Sequence, residues 1–582
     1  MTLLEIQDLS VSYATRAGTQ RVVENVSLAV EAGEVVALVG ESGSGKSTTA
    51  HAVLGLLADN GRIDGGRILL NGTDIAGWSD RRLRGIRGTR IGLVPQDPGS
   101  SLDPVKTIGS QVGEALRIHR RGGDRAGVRD RVLSLLTRVG LDDPARRAKQ
   151  YPHELSGGMR QRVLIAIAIA LEPDLIIADE PTSALDATVQ RRILDLLDDL
   201  REEFGTAVLF VTHDLGVAAD RSQRIVVLKG GEVQEQGGTA DVLASPKSAY
   251  TRTLLANAPA LAQPGFRTPH APLYLRDAGG VASEDPYAIR VSNLVKEFGS
   301  SGHGRSAFRA VDDVSFDVRR GSTHALVGES GSGKTTTARL VVRLAEATAG
   351  TVLVDGEDVG ALRARQVREL RRRIQLVYQN PFASLDPRQS VRDIVAEPLR
   401  NFGILDDRDA RRRRAAELVD RVALPAEILG RRPRELSGGQ RQRVAIARAL
   451  AVEPEVLVLD EAVSALDVTV QAQILALLDG LQRDLGLTYL FISHDLAVVR
   501  AISDTVSVMR TGRVVESGTT EQIFTAPGHE YTRELLASVP RGRAARVSSD
   551  PADADRSLTA AASDTPELDT ADSVSALTGV TA

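Results

Sequence analysis

The sequence contains no cysteine, and this absence excludes several kinds of site. None of its 582 residues is a thiol, so disulfides, cysteine-ligated zinc and cysteine-ligated iron–sulfur clusters cannot form. Aromatic residues make up only 3% of the chain, which disfavours the base-stacking surfaces of single-strand nucleic-acid binding proteins. The net charge of -4 also argues against a protein built to bind a polyanion. We therefore predict no nucleic-acid partner.

Long hydrophobic runs are also absent from the sequence. The longest apolar run extends from Val163 to Leu171 and is followed by the charged Glu172, whereas a membrane-spanning helix needs about 20 apolar residues. The first residues lack the basic region and the apolar core of a secretory signal. We therefore expect any membrane role of the chain to come through partner chains.

What the sequence does contain is a set of short motifs that occurs twice. Val39-Gly-Glu-Ser-Gly-Ser-Gly-Lys-Ser-Thr48 returns as Val327-Gly-Glu-Ser-Gly-Ser-Gly-Lys-Thr-Thr336. Three further motifs also return: Leu-Ser-Gly-Gly at 155–158 and 436–439, Asp-Glu at 179–180 and 460–461, and His-Asp at 213–214 and 494–495. The motifs keep their order and nearly their spacing, which indicates a duplicated domain rather than a solenoid.

Composition divides the chain into four parts. Prolines and the Gly279-Gly280 pair interrupt any regular pattern between the two copies. After residue 540 the chain is mainly Ala, Ser, Asp and Thr, with too few large apolar groups to offset the entropy lost on ordering. We predict a first domain over 1–258, a Pro-rich linker over 259–287, a second domain over 288–540 and a disordered tail over 541–582.

The strongest single signal is a glycine-rich loop that follows an apolar strand pattern and opens a helical one. This context is the one that the phosphate-loop pattern requires. Glycines let successive backbone N–H groups point at one anion, and the start of the helix adds partial positive charge. The lysine can then reach the β- and γ-phosphates, and the hydroxyl residue after it can ligate Mg²⁺. The residues predicted to bind ATP in the two loops are Gly40, Ser42, Gly43, Gly45, Lys46, Ser47 and Thr48, and Gly328, Ser330, Gly331, Gly333, Lys334, Thr335 and Thr336.

An acidic pair follows an apolar strand pattern in each copy. Asp179 and Asp460 lie where a carboxylate can hold Mg²⁺, directly or through water. Glu180 and Glu461 come next and are placed to orient and polarise the attacking water. A solvated strand end is the alternative for such a pair, and the phosphate loop ahead of it disfavours that alternative.

The surrounding pattern predicts α/β domains. Short apolar strands are expected over 35–39, 175–178 and 208–211, and a helix is expected after Lys46. Strands that alternate with helices imply a mainly parallel sheet with helices on both faces.

Taken together, the motifs resemble those of the ATP-binding-cassette (ABC) ATPases over about residues 1–540. The matching set is the phosphate loop, a glutamine, Leu-Ser-Gly-Gly, apolar-Asp-Glu, Ser-Ala-Leu-Asp and a final histidine. The resemblance implies two tandem P-loop NTPase domains, each a mainly parallel sheet with flanking helices plus a helical subdomain. It implies that the halves pack head to tail around two ATP molecules, with ATP and Mg²⁺ as cofactors. Each ATP then contacts the phosphate loop of one half and the Leu-Ser-Gly-Gly loop of the other. We call each Leu-Ser-Gly-Gly loop a signature loop.

The resemblance also implies a role for each motif residue. The glutamines ligate Mg²⁺ and sense the nucleotide, the histidines hold the γ-phosphate and the water, and Asp186 and Asp467 couple the halves. Tyr13 and Phe298 lie where the family stacks adenine, with core packing as the alternative. Site one is Lys46, Ser47, Gln96, Asp179, Glu180 and His213 with Ser437, Gly438 and Gly439; site two is Lys334, Thr335, Gln379, Asp460, Glu461 and His494 with Ser156, Gly157 and Gly158.

The sequence departs from the family pattern in two places. Met159 stands where the family has glutamine after Leu-Ser-Gly-Gly, and Ala462-Val463 stands where it has Pro-Thr after Asp-Glu. Neither change removes a catalytic group, so we expect two hydrolytic sites, which need not be equally fast.

Two features resemble one branch of the family, the ATPases of dipeptide, oligopeptide, nickel and glutathione importers. These features are the extended glutamine loops at 96–104 and 379–387 and a Pro…Tyr-Thr…Leu-Leu segment at 246–255 and 527–536. The resemblance implies an ATPase that energises an importer of dipeptides, oligopeptides or a related small solute. It also implies a location at the cytoplasmic face of the membrane, two integral-membrane permease subunits and, indirectly, an extracytoplasmic solute-binding protein. Some relatives carry a cysteine-rich cluster in that segment, and without cysteine no iron–sulfur cluster is expected here.

Two other classes of protein share the cassette motifs. A soluble ABC-F-type ribosome-associated ATPase also has two cassettes, but its linker is long, charged and helical, whereas this one is short and Pro-rich. Cassette-type DNA-repair ATPases carry zinc-binding cysteines or a long coiled coil, and neither occurs here. The arginine-rich runs at 363–373 and 408–414 favour a solvated helix face over contact with nucleic acid or anionic lipid.

Overall fold

The computed structural model describes residues 1–15, 18–121, 123–183, 185–258, 261, 285–299, 308–464 and 466–540. The predicted linker therefore lies mostly, and the predicted tail entirely, outside the described residues. The strands of the first half are β1 (Thr2–Thr15), β2 (Gly18–Glu31), β3 (Val35–Val39), β4 (Gly61–Leu70), β5 (Thr73–Asp74), β6 (Ile91–Val94), β7 (Leu175–Asp179), β8 (Ala207–Thr212), β9 (Arg224–Lys229) and β10 (Glu232–Gly238). Those of the second half are β11 (Tyr287–Phe298), β12 (Phe308–Arg319), β13 (Thr323–Val327), β14 (Ala349–Val354), β15 (Glu357–Asp358), β16 (Ile374–Val377), β17 (Val456–Asp460), β18 (Thr488–Ile492), β19 (Thr505–Arg510) and β20 (Arg513–Thr519).

The helices follow the same order in both halves, except that one short helix of the first half, Pro144–Arg147, is matched by a 3₁₀ turn, Ala426–Gly430, in the second. The first half has α1 (Lys46–Leu54), α2 (Asp80–Leu83), α3 (Pro98–Ser101), α4 (Ile108–Ile118), α5 (Arg125–Arg138), α6 (Pro144–Arg147), α7 (Gly157–Ala168), α8 (Ala187–Phe204), α9 (Leu215–Arg221), α10 (Thr239–Ala244) and α11 (Ala249–Ala256). The second half has α12 (Lys334–Val341), α13 (Ala364–Arg373), α14 (Pro381–Ser384), α15 (Val391–Phe402), α16 (Arg408–Arg421), α17 (Gly438–Leu450), α18 (Val468–Leu485), α19 (Leu496–Ile502), α20 (Thr520–Thr525) and α21 (Glu530–Ala537). Single 3₁₀ turns lie at Pro152–Glu154, Val359–Ala361, Ala426–Gly430 and Pro433–Glu435.

A six-stranded sheet forms the centre of each half and confirms the predicted mainly parallel sheet. The strand order is β10-β9-β3-β8-β7-β6 in the first half and β20-β19-β13-β18-β17-β16 in the second. Only the edge strands β10 and β20 run antiparallel to their neighbours. Since the carboxyl ends of the parallel strands meet at one edge of the sheet, the segments that follow β3, β7 and β8 come together there. Those segments are the phosphate loop, the residue after Asp179 and the predicted catalytic histidine.

A second, antiparallel sheet in each half was not predicted. Its strand order is β2-β1-β4-β5 in the first half and β12-β11-β14-β15 in the second. The sequence carried a signal for it, because Val26, Leu28 and Val30 alternate with more exposed residues along β2, and that period of two is typical of a half-buried strand. Helices do lie on both faces of the central sheet, as predicted, and on one face α1 shares the surface with this antiparallel sheet.

The opposite face of the central sheet carries further helices. Residues of α4, α5, α7 and α8 form one hydrophobic cluster with β6, β7 and β8 in the first half, and the matching helices do so in the second. The helices α3 to α7 and α14 to α17 therefore form the helical subdomain that the sequence predicted. No helix among the described residues is long and apolar enough to cross a membrane.

Candidate active sites

The phosphate loops have a backbone shape that only glycine allows. Gly40 has φ 150°, and a Cβ at that position would lie 2.2 Å from the carbonyl oxygen of Leu228. In the second half a Cβ on Gly328 would lie 2.1 Å from the carbonyl oxygen of Met509. Contacts this short do not occur between real atoms, so any side chain would push the loop off the neighbouring strand. Gly45 has φ 99° where α1 begins.

The lysine of each loop is buried and bonded to the loop backbone. Lys46 Nζ donates to the carbonyl oxygens of Gly40 and Glu41, both at 2.8 Å. Lys334 Nζ makes the same two bonds at 2.8 Å in the second half. Burial lowers the pKa of both lysines, while neighbouring carboxylates, that of Glu180 or Glu461 first, act against this change. A compact cation is thus held inside the loop, where it can meet the charge of a phosphate group.

A hydroxyl and a carboxylate lie together at the start of each phosphate-loop helix. Ser47 Oγ donates to Asp179 Oδ1 at 2.9 Å, and Thr335 Oγ1 donates to Asp460 Oδ1 at 3.0 Å. Both aspartates are buried, at 3% and 5% exposure. Hydroxyl and carboxylate oxygens are the ligands that Mg²⁺ prefers. The donor set therefore fits the predicted metal.

The glutamate after each of these aspartates is the centre of a hydrogen-bonded group. Gln96 Nε2 donates to Glu180 Oε2 at 2.8 Å, and His213 Nδ1 lies 3.2 Å from Glu180 Oε1. In the second half the corresponding distances from Glu461 to Gln379 and His494 are 2.6 Å and 3.3 Å. The two glutamines therefore contact the predicted water-polarising residues rather than the predicted metal-binding aspartates.

The charges in this group stabilise one another. Burial acts against ionisation of Glu180, but the hydrogen bond and charge of His213, with smaller contributions from Lys46 and Gln96, outweigh it and lower its pKa. Burial likewise acts against a charged His213, but the hydrogen bond and charge of Glu180 outweigh it and raise the pKa of the imidazole. Glu461 and His494 shift in the same directions for the same causes. A carboxylate with a lowered pKa is a weak proton acceptor, so its chemistry is to orient and polarise water.

Residues of one half reach the phosphate loop of the other. Asp186 Oδ2 accepts a hydrogen bond from the backbone N–H of Ser330 at 3.3 Å. Asp467 acts electrostatically on Lys46 and lines the same cavity of about 620 Å³ as Ser42. The predicted coupling residues are therefore at the contact between the halves. Both hydrogen-bonded groups around Glu180 and Glu461 open onto that cavity.

Comparison with known protein families gives two matches. The family described as "ABC transporter" matches residues 23–183 and 311–464. The chain belongs to the ABC transporter family. A second family, "Oligopeptide/dipeptide transporter, C-terminal region", matches 234–273 and 515–562.

The sequences of named relatives are similar to this chain over nearly its whole length. The oligopeptide transport ATP-binding proteins OppD of Mycobacterium bovis and Mycobacterium tuberculosis are each 42% identical to it, over 94% of this chain and 99% of the relative. The glutathione import ATP-binding protein GsiA of Salmonella choleraesuis is 42% identical over 92% of this chain and 89% of the relative. The chain is accordingly an ABC ATPase with two tandem cassettes.

Among the described residues, the signature loops of the two ABC cassettes take no part in the hydrogen bonds described so far. Ser156, Gly157, Ser437 and Gly438 are exposed, and no hydrogen bond among the described residues joins them to the opposite phosphate loop. Their serines instead cap the helices that follow: Ser156 Oγ accepts from the N–H of Met159 at 3.3 Å, and Ser437 Oγ accepts from that of Gln440 at 3.3 Å. Their predicted contact with ATP remains a prediction.

The last glycine of each signature loop has a packing role that the sequence analysis missed. A Cβ on Gly158 would lie 2.4 Å from Val189 Cγ1, and one on Gly439 would lie 2.3 Å from Val470 Cγ1. Glycine is needed here because α7 and α17 approach α8 and α18 closely.

The aromatic residues predicted to stack on adenine differ between the halves. Phe298 is 49% exposed and lines a cavity of about 380 Å³ beside Lys334. Phe308, which the sequence analysis did not select, is 64% exposed and lines the same cavity. Tyr13 is half-buried and packs against the first hydrophobic core, where a Cβ on Gly61 would lie 2.6 Å from its ring. The sequence did hold a signal for Phe308, because it is a further aromatic residue between Phe298 and the phosphate loop of the second half.

Proposed function

We propose that this ABC ATPase energises a membrane importer of dipeptides, oligopeptides or a related small solute. The observation that carries the proposal is the duplicated set of phosphate loop, aspartate, glutamate, glutamine and histidine, followed in each half by the oligopeptide-type C-terminal segment. Relatives of similar length are named for oligopeptide transport and for glutathione import. Nothing in the comparisons supports the ABC-F alternative.

In each site the phosphate loop binds the nucleotide phosphates. The backbone N–H groups around Ser42 and Ser330 and the ammonium groups of Lys46 and Lys334 carry the positive charge that meets them. Ser47 with Asp179, and Thr335 with Asp460, would hold Mg²⁺. The metal supplies positive charge that neutralises the charge developing on the phosphate oxygens.

The glutamates act on the attacking water. The ionised carboxylate of Glu180 accepts a hydrogen bond from that water and polarises it, and Gln96 and His213 hold the carboxylate in place through its two oxygens. The imidazole would also donate toward the γ-phosphate when it carries a proton, a state that its raised pKa favours. Glu461, Gln379 and His494 do the same in the second site.

The proposed sites are composite, with each signature loop completing the site of the opposite half. The bond from Ser330 to Asp186 and the effect of Asp467 on Lys46 support a head-to-tail arrangement. The exposed signature loops have room to move, and closure around ATP would bring Ser437 toward Lys46 and Ser156 toward Lys334.

The partners are proposed to be two integral-membrane permease subunits, one per half, at the cytoplasmic face, with an extracytoplasmic solute-binding protein delivering the solute. The permeases should dock on residues 97–155 and 380–436. Apolar side chains are exposed there, among them Val105 at 80%, Ile118 at 69% and Phe382 at 49%. In a mild-detergent purification Val105→Asp with Ile118→Asp should release one permease and Phe382→Asp the other. Recovery of the chain on ribosomes without membrane proteins would contradict the proposal.

The catalytic assignment is tested by changing Glu180→Gln and Glu461→Gln together. Glutamine keeps the shape of the side chain but removes the negative charge that polarises water. We expect the double variant to bind ATP and to lose hydrolysis by at least about a hundredfold, measured as phosphate release. As a control, Glu346→Gln changes an exposed glutamate (81% exposed) outside the sites and should hydrolyse ATP normally. Undiminished hydrolysis by the double variant would show that these residues are not the polarising groups.

A further inference from the structure

The C-terminal segment of each half begins with a helix whose start is fixed firmly to the domain. In the first half the carboxylate of Glu235, on β10, accepts hydrogen bonds from the N–H groups of Lys247 and Ser248, at 2.8 Å and 3.0 Å. Ser248 Oγ then caps α11 by accepting from the N–H of Tyr250 at 3.2 Å. These bonds place the tyrosine of the Tyr-Thr pair against the central sheet.

The second half repeats this arrangement with different residues. The carboxylate of Glu516, on β20, accepts from the N–H groups of Gly528 and His529, at 2.7 Å and 3.2 Å. His529 Nδ1 accepts from the N–H of Tyr531 at 3.1 Å and caps α21.

The hydroxyl group of each tyrosine reaches a phosphate loop. The N–H of Glu41 donates to Tyr250 Oη at 3.3 Å, and the N–H of Glu329 donates to Tyr531 Oη at 3.2 Å. That N–H belongs to the same peptide group as the carbonyl of Gly40, which accepts from Lys46 Nζ at 2.8 Å. Since a peptide group is planar, fixing its N–H also fixes the direction of its carbonyl oxygen.

The peptide group concerned is one that needs an outside contact to fix it. Gly40 and Gly328 have φ 150° and 146°, and glycine loses more conformational freedom on ordering than any other residue. The tyrosines themselves are rigid, because Tyr250 is 9% and Tyr531 2% exposed. Tyr250 packs with Ala37 and Val39 of β3.

The tyrosine hydroxyls also stay neutral. Burial raises the pKa of Tyr250 and of Tyr531 to about 12. The ring of Tyr250 lies 4.7 Å from Lys229 Nζ, and that of Tyr531 lies 4.7 Å from Arg510 Cζ. A neutral oxygen in a fixed position is a suitable acceptor for a backbone N–H.

We propose that Tyr250 and Tyr531 are positioning residues that hold the phosphate-loop lysines ready for ATP. Each hydroxyl fixes the peptide group whose carbonyl oxygen holds Lys46 or Lys334. The C-terminal segment thereby contributes to nucleotide binding in its own half. This inference rests on the proposed function in one respect, namely that the two lysines bind the nucleotide phosphates.

The test is the full chain with Tyr250→Phe and Tyr531→Phe, which keeps both rings and removes only the hydroxyls. We expect the Kd for a non-hydrolysable ATP analogue, measured by calorimetry with Mg²⁺, to rise about three- to tenfold, the effect of losing one such bond per site. Tyr489→Phe is the matched control, since Tyr489 Oη donates to the carbonyl of Leu478 at 2.8 Å in the core of the second half. That variant should lower Tm without changing the Kd.

Variants that lack the two lysines distinguish a positioning role of the tyrosines from a purely structural one. In a chain that carries Lys46→Ala and Lys334→Ala, the two Tyr→Phe changes should alter the remaining affinity less than about twofold, since their effect passes through the lysines. An equal loss with and without the lysines would overturn the positioning role. An unchanged Kd for the Tyr→Phe variant, with a clear loss for the lysine variant, would refute this inference alone. Normal binding by the lysine variant would refute the proposed phosphate site.

Discussion

In the first half the hydroxyl of Ser47 lies 2.9 Å from Asp179, and in the second half the hydroxyl of Thr335 lies 3.0 Å from Asp460. The histidine-to-glutamate distances are 3.2 Å and 3.3 Å, and the lysine-to-carbonyl distances are all 2.8 Å. The two halves thus agree in every group that is proposed to handle the phosphate. They differ around those groups.

One difference lies at the signature loops. In the second half Gln440 Oε1 accepts from the N–H of Ser437 at 3.0 Å while Ser437 Oγ accepts from the N–H of Gln440, so that each caps the other. In the first half Met159 has no oxygen to offer, and its side chain packs against the helical core instead. The first signature loop therefore lacks one of the two bonds that hold the second.

Another difference lies in the cleft between the central sheet and the helical subdomain. In the second half this cleft has a volume of about 740 Å³ and is lined by Arg339, Arg371 and Arg448. The first half has His51 in place of Arg339 and Ile167 in place of Arg448. The third arginine is kept, because Arg87 donates to the carbonyl of Gly55 as Arg371 donates to that of Arg343. The second half thus carries an arginine at two positions where the first half has a histidine and an isoleucine. The two halves therefore agree in the proposed catalytic groups and differ in the residues around them.

The largest effect is expected from variants that test whether each ATP site is built from residues of both halves. Lys46→Ala and Ser437→Ala should damage the same site, so that combining them reduces ATP hydrolysis little beyond the single change. Lys46→Ala with Ser156→Ala should disable both sites and reduce it at least about tenfold further, because the effects fall on different sites. Phosphate release at saturating ATP measures both. Strong coupling of Lys46 to Ser156 instead of Ser437 would rule out the head-to-tail arrangement.

A smaller effect should distinguish the two aromatic residues. Phe298→Ala should weaken ATP binding in the second site about three- to tenfold, as expected for loss of a stacked ring, without lowering Tm. Tyr13→Ala should lower Tm, because its half-buried ring packs against the first core. Calorimetric titration and thermal denaturation of both variants test the contrast. Equal losses of affinity with no change in Tm would show that both rings stack on adenine.

The smallest effect is expected from making the signature loops alike. Met159→Gln supplies the missing acceptor for the N–H of Ser156, and a bond of this kind contributes about 1 kcal/mol. With the first site silenced by Lys46→Ala, the change should raise hydrolysis at the second site, which the first signature loop is proposed to complete. The reverse change, Gln440→Met, should lower hydrolysis at the first site when Lys334→Ala silences the second. Opposite signs would show that the cap restrains a loop that must move.

The proposed catalytic residues could be selected from the sequence because each lies in a short, local pattern. A glycine-rich turn between an apolar strand and a helix specifies the phosphate loop by backbone geometry alone, and Gly40 has the positive φ that this turn requires. The strands that carry the acidic pairs were predictable because fully buried strands are continuous apolar runs. The antiparallel sheet was missed because its signal, alternation over a few residues, is weaker.

The sequence by itself determined the duplication and the family, and it predicted a role for each motif. It also pointed to the Tyr-Thr segment, without a reason for its presence. Only the tertiary structure brought Tyr250 to the N–H of Glu41, which is 209 residues away, and Asp186 to Ser330, which is 144 residues away. It also showed that the two aromatic residues differ in environment, since Phe298 faces a cavity and Tyr13 packs against a core. Such contacts depend on how the sheets stack and how the halves meet, and no local pattern of residues encodes that long-range packing.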